Sequence, residues 1–279
     1  MPGLAVTSLQ DWQLLGVDFT SAPRRAKPIT VAVGRLEAEC LRLEAIEACP
    51  DWASFDALLA RPGPWLGAFD FPFGLPREAV VDLAWPQSWP ALVRHCAALG
   101  KVGFRAALDA YRQTRPVGRR YAHRATDLPA RSHSPLKLVN PPVGLMFLEG
   151  APRLLDAHIS VAGLHAGDPQ RVAVEAYPGL LARRITPHSY KSDDKRKHTA
   201  ARRLARETLV DALCAGLAEP ALALQLDAAL RASLVDDASG DRLDAVLALF
   251  QAAACARDGP PHFGLPPVMD TLEGWIAGA

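Results

Sequence analysis

Hydrophobic and polar positions sort the first 75 residues into strands with one helix among them. Leu14-Leu15-Gly16-Val17-Asp18-Phe19 is a short apolar run after a polar lead, the mark of a buried strand. Residues 29–33 are apolar and largely β-branched, a second strand. Residues 40–46 alternate, Leu41, Leu43 and Ala45 against Arg42 and Glu44, as a half-solvated strand does. Asp51 suits the cap of a helix that carries Phe55, Leu58 and Leu59 on one side and stops at Arg61-Pro62-Gly63. Residues 65–70 form a fourth apolar strand, broken off by Pro72, Gly74 and Pro76. From 77 to 114 the pattern is helical, with breaks at Pro86 and Pro90. Residues 115–142 are irregular and basic, an insertion expected to lie over the core, and residues 143–158 read as another helix. A fifth strand at 171–178 ends on its own proline. Three helices follow, at 194–217, 220–234 and 241–257, with Ser239-Gly240 between the last two. These elements describe one α/β domain over residues 1–279, with an insertion at about 77–160 before the fifth strand.

Composition narrows the setting. The chain has 279 residues, 49% hydrophobic and 22% charged, with a formal net charge of +1. That is the profile of a globular protein with a sizeable core. No stretch of about 18 apolar residues free of charge occurs, so no membrane span is expected. Residues 1–10 lack a basic segment followed by an apolar one, so no secretory leader is expected either. Five scattered cysteines without a C-x-x-C pair suit a reducing cytoplasm. Only six of the 31 basic residues are lysines, and arginine is the residue that grips planar anions through two parallel hydrogen bonds.

The informative feature is where the acids fall. Asp18 sits in LLGVDF, Asp70 in LGAFDFPF, Glu175 in VAVEAYP and Asp244 in DRLDAVLALF. Each interrupts an apolar run, and an ionised carboxylate in apolar surroundings must find a partner, shift its pKa or hold a cation. Few basic residues lie inside those runs, so Mg²⁺ or Mn²⁺, which prefer carboxylate oxygens, are the natural partners. Three of the acids end strands and one lies on a helix, so they can meet at the carboxyl edge of one sheet. Asp241 is three residues before Asp244 and shares its helix face, although its place after Gly240 also suits a cap.

GVDFTSAP, FDFPFGLP, VEAYP and the late DRLDA resemble, in that order, the motifs of a bacterial domain-of-unknown-function family. That family is grouped with predicted nucleases of the ribonuclease H-like fold. The resemblance runs from about Gly16 to Trp275, and Glu273-Gly274-Trp275-Ile276 echoes the family's ending. It implies a ribonuclease H-like, mixed five-stranded sheet flanked by helices, with the first and fourth strands adjacent and Asp18 facing Asp70. DRLDA is also similar to the acidic helix of RuvC-type junction resolvases, which matches Asp241 and Asp244 to metal-facing positions.

The expected chemistry is hydrolysis of a phosphodiester by a two-metal site, whose ions sit roughly 3.5–4 Å apart. Asp18, Asp70 and Asp244 are the expected catalytic ligands, with Glu175 and Asp241 as supporting ligands. Nucleic acid, DNA or RNA, is the expected partner. Arg112, Arg115, Arg119, Arg120, Arg124, Arg131 and Lys137 form one basic stretch, with Asp127 the only acid among them. A second runs from Arg183 to Arg206, and Tyr121 and Tyr190 lie in the two stretches as places for bases to stack. Arg124, Lys191 and Arg203 are the expected phosphate contacts. Two other readings stay open: a nucleic-acid-binding module that has lost catalysis, and a nucleotide phosphotransferase. The absence of G-x-S-x-G, G-x-x-x-x-G-K-[ST] and G-x-G-x-x-G excludes the usual serine hydrolase, P-loop and dinucleotide-binding signatures.

Overall fold

Parallel strands that are buried on both faces need unbroken apolar runs, and two segments of this chain supply them. In a computed structural model, which describes residues 11–218 and 221–279, these are β1 (Gln13–Asp18) and β4 (Trp65–Phe69). They pair in parallel at the middle of a seven-stranded sheet. On one side, β2 (Ile29–Glu37) and β3 (Cys40–Cys49) continue from β1 as an antiparallel meander, and β7 (Ala223–Gln225) adds in parallel at that edge. On the other, β6 (Asp168–Glu175) and β5 (Ile159–Val161) extend β4 in parallel, giving the order β5-β6-β4-β1-β2-β3-β7.

Side chains alternate across the strands and build two cores. Leu15, Val17 and Phe69 point to one face, under α1 (Trp52–Leu59), α2 (Arg77–Asp82), α3 (Trp89–Gln113) and α5 (Val143–Asp156). Leu14, Leu66 and Ala68 point to the other, under α6 (Pro178–Ile185), α7 (Ala200–Cys214), α8 (Ala228–Asp236) and α9 (Asp241–Asp258). Helix α9 is apolar nearly all round and lies directly on β1. A Cβ on Gly16 would stand 2.1 Å from the Ala245 carbonyl oxygen, so only glycine admits this approach. Asp51 caps α1 as its position implies, accepting from the Ser54 N–H at 2.9 Å.

Several expectations need correction. The sheet has seven strands rather than five, because β5 and β7 are three residues each, too short to show a period. Pro178 does not merely end a strand; it opens α6, where its missing N–H costs nothing. Pro90 lies in the first turn of α3, and the break comes instead at Gly100, with φ 62°. The expected helix at 220–234 starts outside the described residues and resolves into β7 and α8. The expected helix at 194–217 begins only at Ala200, after a 3-10 turn at Lys195–Lys197. Residues 115–142 hold one short helix, α4 (Asp127–Ala130), and do not merely cover the core: Ala122, Leu136 and Leu138 are part of it. The leader reading falls on residues 1–10, outside the described residues. Among the described residues no helix is long and apolar enough to cross a membrane.

Candidate active site

The parallel register sets the acids side by side. Val17 pairs with Phe69 and Phe69 with Glu175, so Asp18, Asp70 and Glu175 stand at the carboxyl ends of three neighbouring strands. The Asp70 N–H continues the ladder by donating to the Val17 carbonyl at 2.9 Å. Alternation then separates them by face. Asp18 and Asp70 share the parity of Leu14, Leu66 and Ala68, and so face α9. Asp244, 1% exposed in the first turn of α9, looks onto that same corner. Glu175 shares the parity of Ala173 and faces the opposite core.

The electrostatics follow from this crowding. Burial pushes the Asp18 carboxyl well above its usual range, and repulsion from Asp244, Asp241 and Asp70 adds to it against the pull of Lys191. Burial likewise pushes Asp70 up to about 7, with Lys191 opposing and Asp244 and Glu175 reinforcing. No hydrogen-bond donor among the described residues meets either carboxylate. Asp244 is better supplied: the Tyr190 hydroxyl donates to Oδ1 and the Lys191 ammonium to Oδ2. Burial opposes the charge on Lys191, but Asp244, Tyr190 and Asp18 together raise its pKa well above the usual value. Asp241 does not cap α9, whose cap is Gly240; it accepts from Lys27 Nζ at 2.7 Å. Lys27 also bonds Asp193 at 2.8 Å, tying the start of α9 to the loop that carries Lys191. Sequence reasoning missed Lys27, and nothing local to it reveals a partner 214 residues away.

Glu175 and Arg124 do something other than expected. All five N–H donors of Arg124 are taken: by both oxygens of Glu175 at 2.7 Å, by Asp127 at 2.9 and 3.2 Å, and by the Glu273 carbonyl at 3.0 Å. Arg124 is 2% exposed, so a phosphate reaches neither its charge nor a free donor. Glu175 also accepts from the Phe73 N–H at 2.9 Å, which completes a structural ion pair. Arg203 is exposed on α7, pairs with Asp236 and Glu207, and does not line the cavity beside the acids. Tyr190 is buried with its hydroxyl on Asp244, so it is no surface platform for a base. Much of the basic charge is matched as well: Arg112 pairs with Asp109, Arg115 with Glu78 and Asp82, and Arg196 with Asp194. Of the expected phosphate contacts, Lys191 alone stands beside the acids.

A family model described as "Protein of unknown function (DUF429)" matches residues 16–266. The chain belongs to this family. The DUF429 match takes in Asp18, Asp70, Glu175, Asp241 and Asp244, together with Lys27 and Lys191, while Glu273 lies beyond it. No curated protein and no solved structure matches the chain.

Among the described residues no three His, Cys, Asp or Glu side chains stand close enough together to hold an ion as they are placed. The Lys191 ammonium occupies Asp244 instead. The donor chemistry nonetheless fits a hard divalent cation: Asp18 and Asp70 are carboxylates on adjacent strands, facing one way, each without a hydrogen-bond donor among the described residues.

Proposed function

We propose that this DUF429 protein is a divalent-metal-dependent phosphodiesterase acting on nucleic acid, built on a ribonuclease H-like sheet. The observation that carries the reading is the meeting of Asp18, Asp70 and Asp244 at one corner, two of them unpaired. The adjacency of β1 and β4, with the antiparallel meander of β2 and β3 beyond, supports the fold assignment. Asp18 and Asp70 would be the primary ligands for Mg²⁺ or Mn²⁺, with Asp244 available to join them once free of Lys191, and Asp241 holds the first turn of α9 through Lys27. A bound ion supplies Lewis-acid polarisation of the phosphodiester and an activated water. Lys191, whose side chain is 44% exposed, balances Asp244 in the resting protein and turns to a substrate phosphate once released. Glu175 acts from behind: locked by Arg124, it fixes the end of β6 next to Asp70. The five free thiols suit a cytoplasmic setting.

The test is cleavage of a panel of DNA and RNA strands with Mg²⁺ or Mn²⁺. Asp70→Asn is expected to abolish it; undiminished cleavage by that variant rejects the assignment. A second reading, a nucleic-acid-binding module, is favoured by the Lys191–Asp244 contact, which neutralises one ligand already. Titration calorimetry separates the two. Saturable Mn²⁺ heat that disappears in Asp70→Asn supports the enzyme, whereas metal-independent, salt-sensitive strand binding supports the module.

A further inference from the structure

A cavity of about 580 Å³ opens beside the acids, between the sheet edge, the 132–146 segment and the loop that follows α6. Its size falls within the roughly 300–1,000 Å³ of pockets that enclose one small molecule, and a duplex cannot enter it. Its lining is divided in character. Asp70 and Lys191 bring the candidate catalytic corner to it. Tyr177, Met146 and Val143 bring a half-buried, largely apolar wall. Arg183 joins the two, its guanidinium 5.1 Å from the Tyr177 ring centroid and one amine held by the Ala130 carbonyl at 2.6 Å. Tyr177 is itself anchored at both ends, its backbone N–H donating to Gln251 Oε1 at 3.0 Å and its hydroxyl accepting from Arg183 Nη1 at 3.3 Å. An anchored aromatic and a thioether beside a lysine and an arginine match a flat heterocycle joined to a phosphate.

We infer that this cavity receives one unpaired nucleotide of the strand being cut, its base against Tyr177 and Met146 and its phosphate toward Lys191 and Arg183, next to Asp70. The inference rests on the phosphodiesterase reading for its substrate and deepens it: the enzyme acts on single strands or frayed ends. A base that enters a cavity of this size must first leave its stack, as bases do when an enzyme draws them into a pocket.

The first experiment needs no metal and no cleavage. AMP and ribose 5-phosphate are titrated calorimetrically into the protein in EDTA. AMP is expected to bind one site, and ribose 5-phosphate at least about tenfold more weakly, because it lacks the stacked base. Tyr177→Ala is expected to weaken AMP by about tenfold or more, while Tyr177→Phe, which keeps the ring, binds as the parent does. Equal affinity for the two ligands, no AMP binding, or an unchanged Tyr177→Ala overturns the pocket assignment. In the case of a Tyr177→Ala that fails to fold, the contrast between the two ligands in the parent protein decides alone. The second experiment compares Mn²⁺-dependent cleavage of one oligonucleotide as a single strand and as a blunt duplex. A single-strand preference of about tenfold that shrinks in Tyr177→Ala supports the inference. Equal cleavage of both forms overturns it, as does release of phosphate from AMP, which would make the free nucleotide the substrate. AMP binding without any strand cleavage by the parent sinks the phosphodiesterase reading and, with it, the strand as the pocket's occupant, leaving a nucleotide site alone.

Discussion

Two acidic clusters stand at the carboxyl ends of the same three strands, one on each face of the sheet, and they have opposite fates. Behind the sheet, Glu175 and Asp127 share one guanidinium, and Glu273 accepts from the Arg77 and Ala125 N–H groups at 2.8 Å each. Ser132 fills a further position on Asp127 at 2.8 Å. In front, Asp18 and Asp70 face α9 with no donor among the described residues, and only Lys191 and Lys27 soften the charge around them. The rear acids are buried and supplied with a full set of hydrogen bonds, which makes them a clamp, whereas Asp18 and Asp70 are half-buried and meet no donor among the described residues. The two sets of carboxylates differ in depth and in the supply of donors, and the set with few donors is the one proposed to bind and react.

The sharpest break in that comparison comes from removing one charge on each side. Asp70→Asn is expected to reduce metal-dependent cleavage to background while the protein stays folded, as read by circular dichroism and a strand-cleavage assay. Arg124→Met removes the guanidinium that Glu175 and Asp127 share and leaves those buried carboxylates without it. It is expected to cost about 3–5 kcal/mol in denaturant unfolding. A cost near zero would show that the rear cluster is not the clamp described.

Smaller effects sharpen the contrast. Lys191→Met frees Asp244 of its ammonium and is expected to tighten Mn²⁺ binding by about tenfold in calorimetry, since the ion no longer competes with a tethered cation. Weaker Mn²⁺ binding would mean that Lys191 helps to assemble the site rather than guarding it. The mildest effect is on pH. A carboxyl raised from about 3.9 in the unfolded chain to about 7 in the folded one lends stability that is complete below the lower value. That stability is lost as pH rises through the higher one. Asp18 shifts in the same direction. In EDTA the Tm is therefore expected to fall between about pH 5.5 and about pH 8, and to fall less in Asp70→Asn. A Tm difference between these pH values that is as large in Asp70→Asn as in the parent protein would disprove the attribution.

What could be read from the chain divides along the same line. Runs of apolar residues gave away β1, β4 and α9, and with them the acids that interrupt those runs. Asp51 announced its helix because the capping group lies three residues from the N–H it accepts. Partners distant in sequence left no local trace. Arg124 meets Glu175 across 51 residues and Lys191 meets Asp244 across 53, so a clamp was read as a phosphate contact and a supporting ligand. The burial of Tyr190 and the cavity beside Tyr177 are not written in their sequence neighbours. The short β5 and β7 owe their conformation to the strands beside them.

Gly16 carries a last consequence. With no side chain between β1 and α9, main chain rests on main chain, and there is no cushion to compress or swell. Asp18 lies two residues beyond that contact, and Asp244 adjoins the Ala245 carbonyl that forms it. The spacing of the two backbones that carry Asp18 and Asp244 is therefore set by main chain against main chain, like the frame of a fixed gauge. In the proposed metal site such a spacing would favour small octahedral ions over Ca²⁺, whose longer bonds need a wider and more flexible set of oxygens.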